Sequence, residues 1–143
     1  MIKSWLSFLT AALITANAGA ADLPAITLYK TPECECCEGH AEHLRSQGFV
    51  VTTVSKPDLH AFKDEVGIPE PLHGCHTSVV AGYIVEGHVP AGIVKQLLSK
   101  NPPILGISLP GMPDGSPGMT GRKIAPFEIF EINFGRPKLF ARD

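Results

Sequence analysis

Three of the four cysteines in this 143-residue chain lie within four positions, in the segment TLYKTPECECCEGH (27–40). They are Cys34, Cys36 and Cys37, and the fourth, Cys75, lies in the distant segment LHGCHTS. Thiols in such a pattern serve three kinds of chemistry: disulfide bonding, redox exchange through a Cys-x-x-Cys pair, or binding of a soft metal ion. The spacing of the thiols and the elements around them distinguish among these uses.

The spacing does not favour a purely disulfide-bonded arrangement. Adjacent Cys36 and Cys37 bridge only with strain, and three clustered thiols cannot all pair with Cys75. Two disulfides, for example Cys34–Cys37 with Cys36–Cys75, stay open as an alternative. A closed zinc site of four cysteines is another, although zinc ligands usually come as two pairs rather than as three and one. Cu(I) fits the pattern better, because it is soft, accepts two or three thiolates and tolerates bridging sulfurs.

Further donor side chains accompany the cysteines. One histidine follows the fourth cysteine directly. Another lies one helical turn beyond the second cysteine, where a surface position on the helix is the favoured interpretation and a ligand role the alternative. Two methionines in GMPDGSPGM carry thioether sulfurs that suit Cu(I), although a role in core packing stays open for both. The full set of predicted metal ligands is Cys34, Cys36, Cys37, Cys75, His76, Met112, Met119 and His40. His73 and His88 are either ligands or loop histidines.

The surrounding segments predict an α/β fold. A β-branched, alternating strand (25–31) ends at Thr-Pro and leads into a helix that begins at Cys34 and ends near Gly48. The unpaired amides at such a helix start stabilise a thiolate. A second strand (50–56) and a second helix from Asp58 follow. The segment TSVVAGYIVEGHV predicts two strands, with the turn between them near Ala81–Gly82 or Glu86–Gly87, and a third helix begins at Pro90.

The order β-α-β-α-β-β-α is that of the glutaredoxin-type core of the thioredoxin-like fold, in which the first two strands run parallel. In that fold the loop before the third strand lies against the Cys-x-x-Cys turn, so we expect Cys75 to approach Cys34 and Cys37. Ordinary thioredoxin-like oxidoreductases carry a cis-proline in this loop, whereas GCHTSVV has none. Beyond Asn101 we predict a long Pro- and Gly-rich loop and a C-terminal β-hairpin.

The first 20 residues predict a secretory signal peptide, followed by a single metal-binding domain over 21–143. Lys3 precedes a short apolar run, and the small residues AGA suit cleavage. The run is short for a membrane span, so an uncleaved anchor is the alternative. We therefore expect the mature chain in the periplasm of a Gram-negative bacterium, without a membrane partner. Cleavage removes only one charge, that of Lys3, and changes the formal net charge from −2 to −3. Without a basic cluster, nucleic acid is not an expected partner.

Three motifs together resemble a known family. TLYKTPECECCEGH, HGCHTSVVAGYIVEGHVPA and PGMPDGSPGM, in this order behind a signal peptide, are similar to the periplasmic metal-binding family of the copper-resistance protein CopG. The resemblance spans about residues 26–140 and implies a thioredoxin-like fold, several bound copper ions and a part in bacterial copper tolerance. It also implies that Cys34, Cys36, Cys37 and Cys75 are the thiolates of the copper cluster.

We therefore predict a periplasmic protein that holds several Cu(I) ions in a cysteine-bridged cluster and contributes to copper resistance and homeostasis. Its expected partners are copper ions and periplasmic copper efflux or delivery proteins. An enzymatic role, as a copper or thiol oxidoreductase, stays open. The alternative function is a thiol–disulfide oxidoreductase with Cys34 as nucleophile and Cys37 as resolving thiol. A structural zinc domain is a third interpretation, and it predicts unfolding by chelators.

Overall fold

A computed structural model describes residues 22–143, so the predicted signal peptide (1–20) lies outside the described residues. The chain forms a mixed α/β fold. Its elements are β1 (Ile26–Lys30), α1 (Glu35–Ser46), β2 (Val51–Ser55), α2 (Leu59–Glu65), a 3-10 turn (Glu70–Leu72), β3 (Thr77–Val80), β4 (Tyr83–Glu86), α3 (Ala91–Lys100), β5 (Gly106–Ser108), β6 (Glu128–Ile132) and β7 (Leu139–Arg142). Among these elements, no helix combines the length and the hydrophobicity that a membrane crossing requires.

The seven strands form one sheet in the order β2-β1-β3-β4-β5-β6-β7. The β1 and β2 strands are parallel, and β3 and β4 form an antiparallel hairpin that turns at Ala81 and Gly82. Both turn residues have positive φ, as a tight two-residue hairpin turn requires. The predicted order of strands and helices up to α3 is therefore confirmed, as is the C-terminal hairpin of β6 and β7.

The prediction of an unbroken loop beyond Asn101 is wrong, because this segment contains β5. The strand is only three residues long, yet it pairs with β4 on one side and β6 on the other. Its first residue, Gly106, passes so close to Ile84 that a Cβ would collide with the Ile84 backbone. This short strand joins the C-terminal hairpin to the central sheet.

Helix α1 presents the predicted face to the sheet. Cys37, Ala41 and Leu44 are fully or almost fully buried, at the three- and four-residue spacing of one helical face. Glu35 and Glu38 lie in the first turn, where a negative charge suits the helix dipole. The helix ends two residues before Gly48, whose positive φ of 97° closes it as predicted.

The long loop between β5 and β6 packs over the start of α1. At Gly118, which has φ +87°, a Cβ would collide with the amide nitrogen of His40 and lie 2.7 Å from the carbonyl oxygen of Cys36. At the other end of the loop, the Gly111 amide donates to the His73 carbonyl over 3.0 Å. The loop therefore contacts the backbone beside both cysteine-bearing segments.

Candidate metal centre

The four cysteine sulfurs meet where α1 begins. Cys34 precedes the helix, Cys36 and Cys37 lie in its first turn, and Cys75 comes from the loop before β3. The Cys75 sulfur lies 3.1 Å from that of Cys34, 3.3 Å from that of Cys36 and 3.4 Å from that of Cys37. All four sulfurs lie within 4.8 Å of one another, which is close enough to hold a metal ion jointly.

Two of the sulfurs are bonded to each other. Cys34 and Cys37 form a disulfide, whereas Cys36 and Cys75 are free thiols within the described chain. Burial, followed by the contact with Cys36, raises the pKa of the Cys75 thiol from 9.0 to about 12. Cys75 is therefore a neutral thiol at neutral pH when no metal is bound.

A turn before α1 positions the first cysteines. The buried ammonium of Lys30 donates to the carbonyl oxygens of Thr31 and Pro32, each over 3.2 Å. It also lies 3.4 Å from the carboxylate of Glu38 in the first helical turn. Lys30 thus ties the end of β1 to the turn that carries Cys34.

The loop of the fourth cysteine is anchored by a buried carboxylate. Glu86 is fully buried and accepts hydrogen bonds from the Gly74 amide and the Thr77 hydroxyl, each over 2.7 Å. It also pairs with the buried ammonium of Lys63, which in addition donates to the Gly74 carbonyl over 3.1 Å. These contacts fix the backbone on both sides of Cys75, and no local pattern in the sequence indicates them.

Three fully buried imidazoles lie beside the sulfurs: His40, His76 and His88. Their ring centroids are 4.7, 4.8 and 5.2 Å apart. His40 Nδ1 lies 2.8 Å from His76 Nε2, while His40 Nε2 lies 2.9 Å from the Val89 carbonyl oxygen. His88 Nδ1 lies 2.7 Å from the Pro117 carbonyl oxygen in the β5–β6 loop.

All three rings are neutral at neutral pH. Burial lowers the pKa of His40 from 6.5 to about 3, although its hydrogen bond to Val89 acts in the opposite direction. Burial also lowers the pKa of His76 well below 6.5, with the neighbouring His40 as a further cause. The pKa of His88 is lowered by burial as well. A neutral imidazole carries one hydrogen and one lone pair, and a lone pair is what a metal ion requires.

The structure brings some of the eight predicted ligands together and leaves others apart. The four cysteines come together, and His76 lies beside Cys75. His40 is fully buried, so a surface position on the helix is wrong, and both of its ring nitrogens have hydrogen-bond partners. Met112 is 55% exposed, and Met119 is half-buried in the same loop. The ligand roles of both methionines and of His40 stay predictions.

His88, which the sequence left open, belongs to the imidazole group. A signal for it was available in the predicted hairpin. Counting outward from the turn at Ala81–Gly82 sets Thr77 against Glu86. The same count continued two residues beyond the strands would set Cys75 against His88. The remaining loop histidine, His73, instead contacts the Ile68 carbonyl oxygen at 2.9 Å.

Comparison with known proteins yields one family and one set of solved structures. The family described as "Protein of unknown function, DUF411" matches residues 72–119, which include Cys75, His76 and His88. No curated protein sequence matches the chain. Solved structures of a copper resistance protein CopG, in Form 1 and Form 2, are similar over 85% of this chain and 98% of that chain, with 34% sequence identity and a TM-score of 0.77. The chain therefore belongs to the family of the copper resistance protein CopG.

Proposed function

We propose that this protein binds several Cu(I) ions through its four cysteine thiolates, in a sulfur-bridged cluster, and thereby contributes to copper tolerance. One observation carries the proposal: the Cys75 sulfur lies within 3.4 Å of each of the other three. A central thiolate of this kind can bridge copper ions held by its neighbours, and Cu(I) is the soft ion that accepts such bridges. The similarity to a copper resistance protein supports the same metal.

Copper loading requires the reduced chain. The Cys34–Cys37 disulfide occupies two of the four sulfurs, and a dithiol reductant supplies the two electrons and two protons that convert it to two thiols. Each thiol then loses its proton to solvent as copper binds. Burial raises the pKa of the Cys75 thiol already in the disulfide-bonded chain, so we expect copper binding rather than ordinary ionisation to remove that proton.

The methionines of the β5–β6 loop are proposed as outer thioether ligands. Met119 follows Gly118, which packs against the carbonyl of Cys36. Met112 follows Gly111, whose amide donates to the carbonyl oxygen of His73. His73 lies two residues before Cys75 in the sequence. Both thioethers are thus carried by backbone that contacts the cysteine segments, and thioether sulfur suits Cu(I).

The cellular setting is also a proposal. Residues 1–20 have the composition of a signal peptide, which supports export to the periplasm and a single domain over 21–143. The strand and helix order up to α3 supports a thioredoxin-like core of the glutaredoxin type. In this setting the protein lowers free copper and exchanges it with copper efflux or delivery proteins.

The test is an anaerobic titration of the fully reduced chain with Cu(I), in which bound copper and protected thiols are counted together. We expect several tightly bound coppers per chain and protection of all four thiols at once. The Cys75→Ser variant should lose most of this capacity, because the bridging sulfur is gone. The same titration with Zn(II) tests the zinc interpretation, which requires one tightly held ion instead. Weak copper binding with rapid return of the Cys34–Cys37 disulfide would contradict the proposal.

The Cys34–Cys37 disulfide favours a second candidate, a thiol–disulfide oxidoreductase. In that function Cys34 attacks the substrate disulfide and Cys37 resolves the mixed disulfide, so Cys36 and Cys75 are dispensable. A metal-free assay of insulin disulfide reduction distinguishes the two. Full activity in Cys36→Ser and Cys75→Ser would favour the oxidoreductase, whereas loss of copper capacity in both would favour the cluster.

A further inference from the structure

The turn of the C-terminal hairpin carries an aromatic side chain that is left in water. This turn, the tip, comprises residues 133–138 between β6 and β7, with the sequence NFGRPK. Phe134 within it is 99% exposed, and Leu139 directly beyond it is 42% exposed. The tip is held in place by the Glu131 amide, which donates to the Lys138 carbonyl over 2.7 Å. The hairpin therefore projects an apolar side chain that burial against another surface would stabilise.

An apolar pocket lies at the opposite end of the same hairpin. Its volume is about 450 Å³, and the apolar side chains that line it include Leu109, Pro110, Pro113, Phe127 and Phe130. A cavity of about 150 Å³ is sufficient for a benzene ring. The pocket therefore has room for a phenylalanine side chain.

The tip and the pocket of one chain cannot meet. Phe127, in the pocket, directly precedes β6, and Phe134 lies beyond its other end, so the five residues of the strand separate them. At about 3.4 Å per residue, the strand is about 17 Å long. It is paired with a neighbouring strand on each side, β5 and β7, and so stays extended. Phe134 can therefore enter this pocket only on another copy of the chain.

The charges of the tip and of the pocket are opposite. Arg136 and Lys138 lie in the tip, whereas Asp114 and Glu128 line the pocket. Glu128 pairs with Arg142, but Arg136, Lys138 and Asp114 form no salt bridge within residues 22–143. All three are exposed, so each is available to a group of opposite sign on another molecule.

Two other occupants would each use only half of this arrangement. An anionic lipid surface would bind the tip and leave the pocket empty. A small apolar ligand would fill the pocket and leave the tip in water. A second copy of the chain accounts for the exposed aromatic ring, the empty pocket and the unpaired charges together.

We propose that the tip of one copy inserts Phe134 into the pocket of a second copy, with Arg136 and Lys138 facing Asp114, so that the chain associates head-to-tail. Such a contact joins unlike surfaces and leaves a free pocket at one end and a free tip at the other. Further copies can therefore add until the assembly closes into a ring. None of the four cysteines takes part, so this association does not depend on the proposed copper binding.

The test is sedimentation velocity of the reduced chain, which cannot form intermolecular disulfides. We expect the average mass to rise with concentration up to about 1 mM, where contacts with a Kd in the millimolar range become populated. Phe134→Ser should sediment as a single chain throughout. Val50→Ser is the matched control, since Val50 is 68% exposed beside β2 at the other edge of the sheet, and it should associate as the unmodified chain does.

A mixing experiment separates a head-to-tail contact from a symmetric one. Asp114→Lys places a positive charge at the pocket and should also sediment as a single chain, although its tip is intact. Mixed with Phe134→Ser, whose pocket is intact, it should form dimers that grow no further. Circular dichroism verifies that both variants are folded.

Three results would overturn the proposal: an unmodified chain that stays single at every concentration, unchanged association in Phe134→Ser, or a mixture without dimers. Binding of the unmodified chain to anionic phospholipid vesicles, lost in Phe134→Ser and without any self-association, would overturn it as well. That result would assign the tip to a lipid surface.

Discussion

Glu86 is the buried charge that the fourth cysteine depends on. It accepts hydrogen bonds from Gly74 and Thr77, on either side of the Cys75–His76 dipeptide, and its only nearby counter-charge in the described structure is Lys63. Removing one partner of a buried ion pair leaves the other charge uncompensated in a medium of low polarity. Stability and the geometry of the candidate metal centre therefore depend on the same carboxylate.

Glu86→Gln should lower the free energy of unfolding by about 3–5 kcal/mol, because it leaves the Lys63 ammonium buried without an anion. Urea denaturation of the metal-free chain measures this. The control is Glu128→Gln, which removes an exposed pair with Arg142 and should cost less than about 1 kcal/mol. Equal losses in the two variants would show that the Lys63–Glu86 pair is not the cause.

The buried imidazoles make stability depend on pH. Folded His40 stays neutral down to about pH 3, whereas in the unfolded chain it takes up a proton below about pH 6.5. The unfolded state therefore binds more protons between these values, and stability falls as the pH is lowered through this window. His40 alone should contribute about 1.4 kcal/mol per pH unit there, and His76 and His88 act in the same direction.

Urea unfolding of the metal-free chain between about pH 7 and about pH 4.5 measures this slope. His40→Gln should make the slope shallower, because the variant cannot gain that proton on unfolding. His60→Gln should keep the slope of the unmodified chain, since His60 is exposed. A His40→Gln slope equal to that of the unmodified chain would contradict the assignment of the pH effect to this ring.

The β5–β6 loop and helix α1 are joined by an approach that only glycine permits. Gly118 lies against Gly39 of the helix, where a Cβ on Gly39 would be 3.1 Å from the Gly118 Cα. The same contact brings Pro117 to His88. The loop thus packs against the candidate metal centre through its backbone, apart from any role of its methionine sulfurs.

Gly118→Ala should destabilise the chain by about 1–3 kcal/mol, since it combines a strained positive φ with a collision against α1. Gly92→Ala is the matched control within α3, where a Cβ meets no atom within 4 Å. Gly92 is the second residue of α3, so that substitution should change stability by no more than about 0.5 kcal/mol. Chemical denaturation of both variants gives the comparison, and a Gly118→Ala chain as stable as the unmodified one would contradict the close packing.

The first half of the chain, up to the β3–β4 hairpin, shows which features can be predicted from the sequence. Local patterns were sufficient for β1 and α1 and narrowed the hairpin turn to Ala81–Gly82 or Glu86–Gly87, of which the structure has the first. The predicted approach of Cys75 to the other cysteines is confirmed. These features depend on periodicity and on turn residues, which a sequence displays directly. The hydrogen bond between His40 and His76, by contrast, joins residues 36 positions apart with no shared pattern.

The other features missed from the sequence have the same physical origin. The Lys63–Glu86 pair links the end of α2 to the end of β4, and neither residue differs locally from an ordinary surface charge. The β5 strand is three residues long and lies in a Pro- and Gly-rich context, so it has no detectable alternation. Its pairing comes from its neighbours in the sheet, β4 and β6.

One sheet runs through the whole described molecule. Within the sheet of the described residues, β5 is the strand that connects the C-terminal hairpin (β6 and β7) to the strands of the cysteine-bearing half. Two side chains of β6, Ile129 and Ile132, are completely buried. Shared burial of this kind couples the two halves, so we expect a single cooperative unfolding transition.

Ile129→Ala should lower the free energy of unfolding by about 2–5 kcal/mol and shift the whole transition, because it leaves a cavity in the shared core. Ile124→Ala, at a position that is 89% exposed, is the matched control and should change stability by no more than about 0.5 kcal/mol. Differential scanning calorimetry measures both variants. Two separate transitions, with only one displaced by Ile129→Ala, would contradict the coupling of the halves.

The central sulfur of Cys75 has a consequence for how the chain fills with metal. If this one sulfur bridges two copper ions of the proposed cluster, the first ion to arrive removes its proton, and the next ion meets a thiolate that is already ionised. Occupancy at each position then raises affinity at the other by the same factor. We expect loading to be cooperative, so that chains are mostly empty below a threshold concentration of copper and mostly full above it.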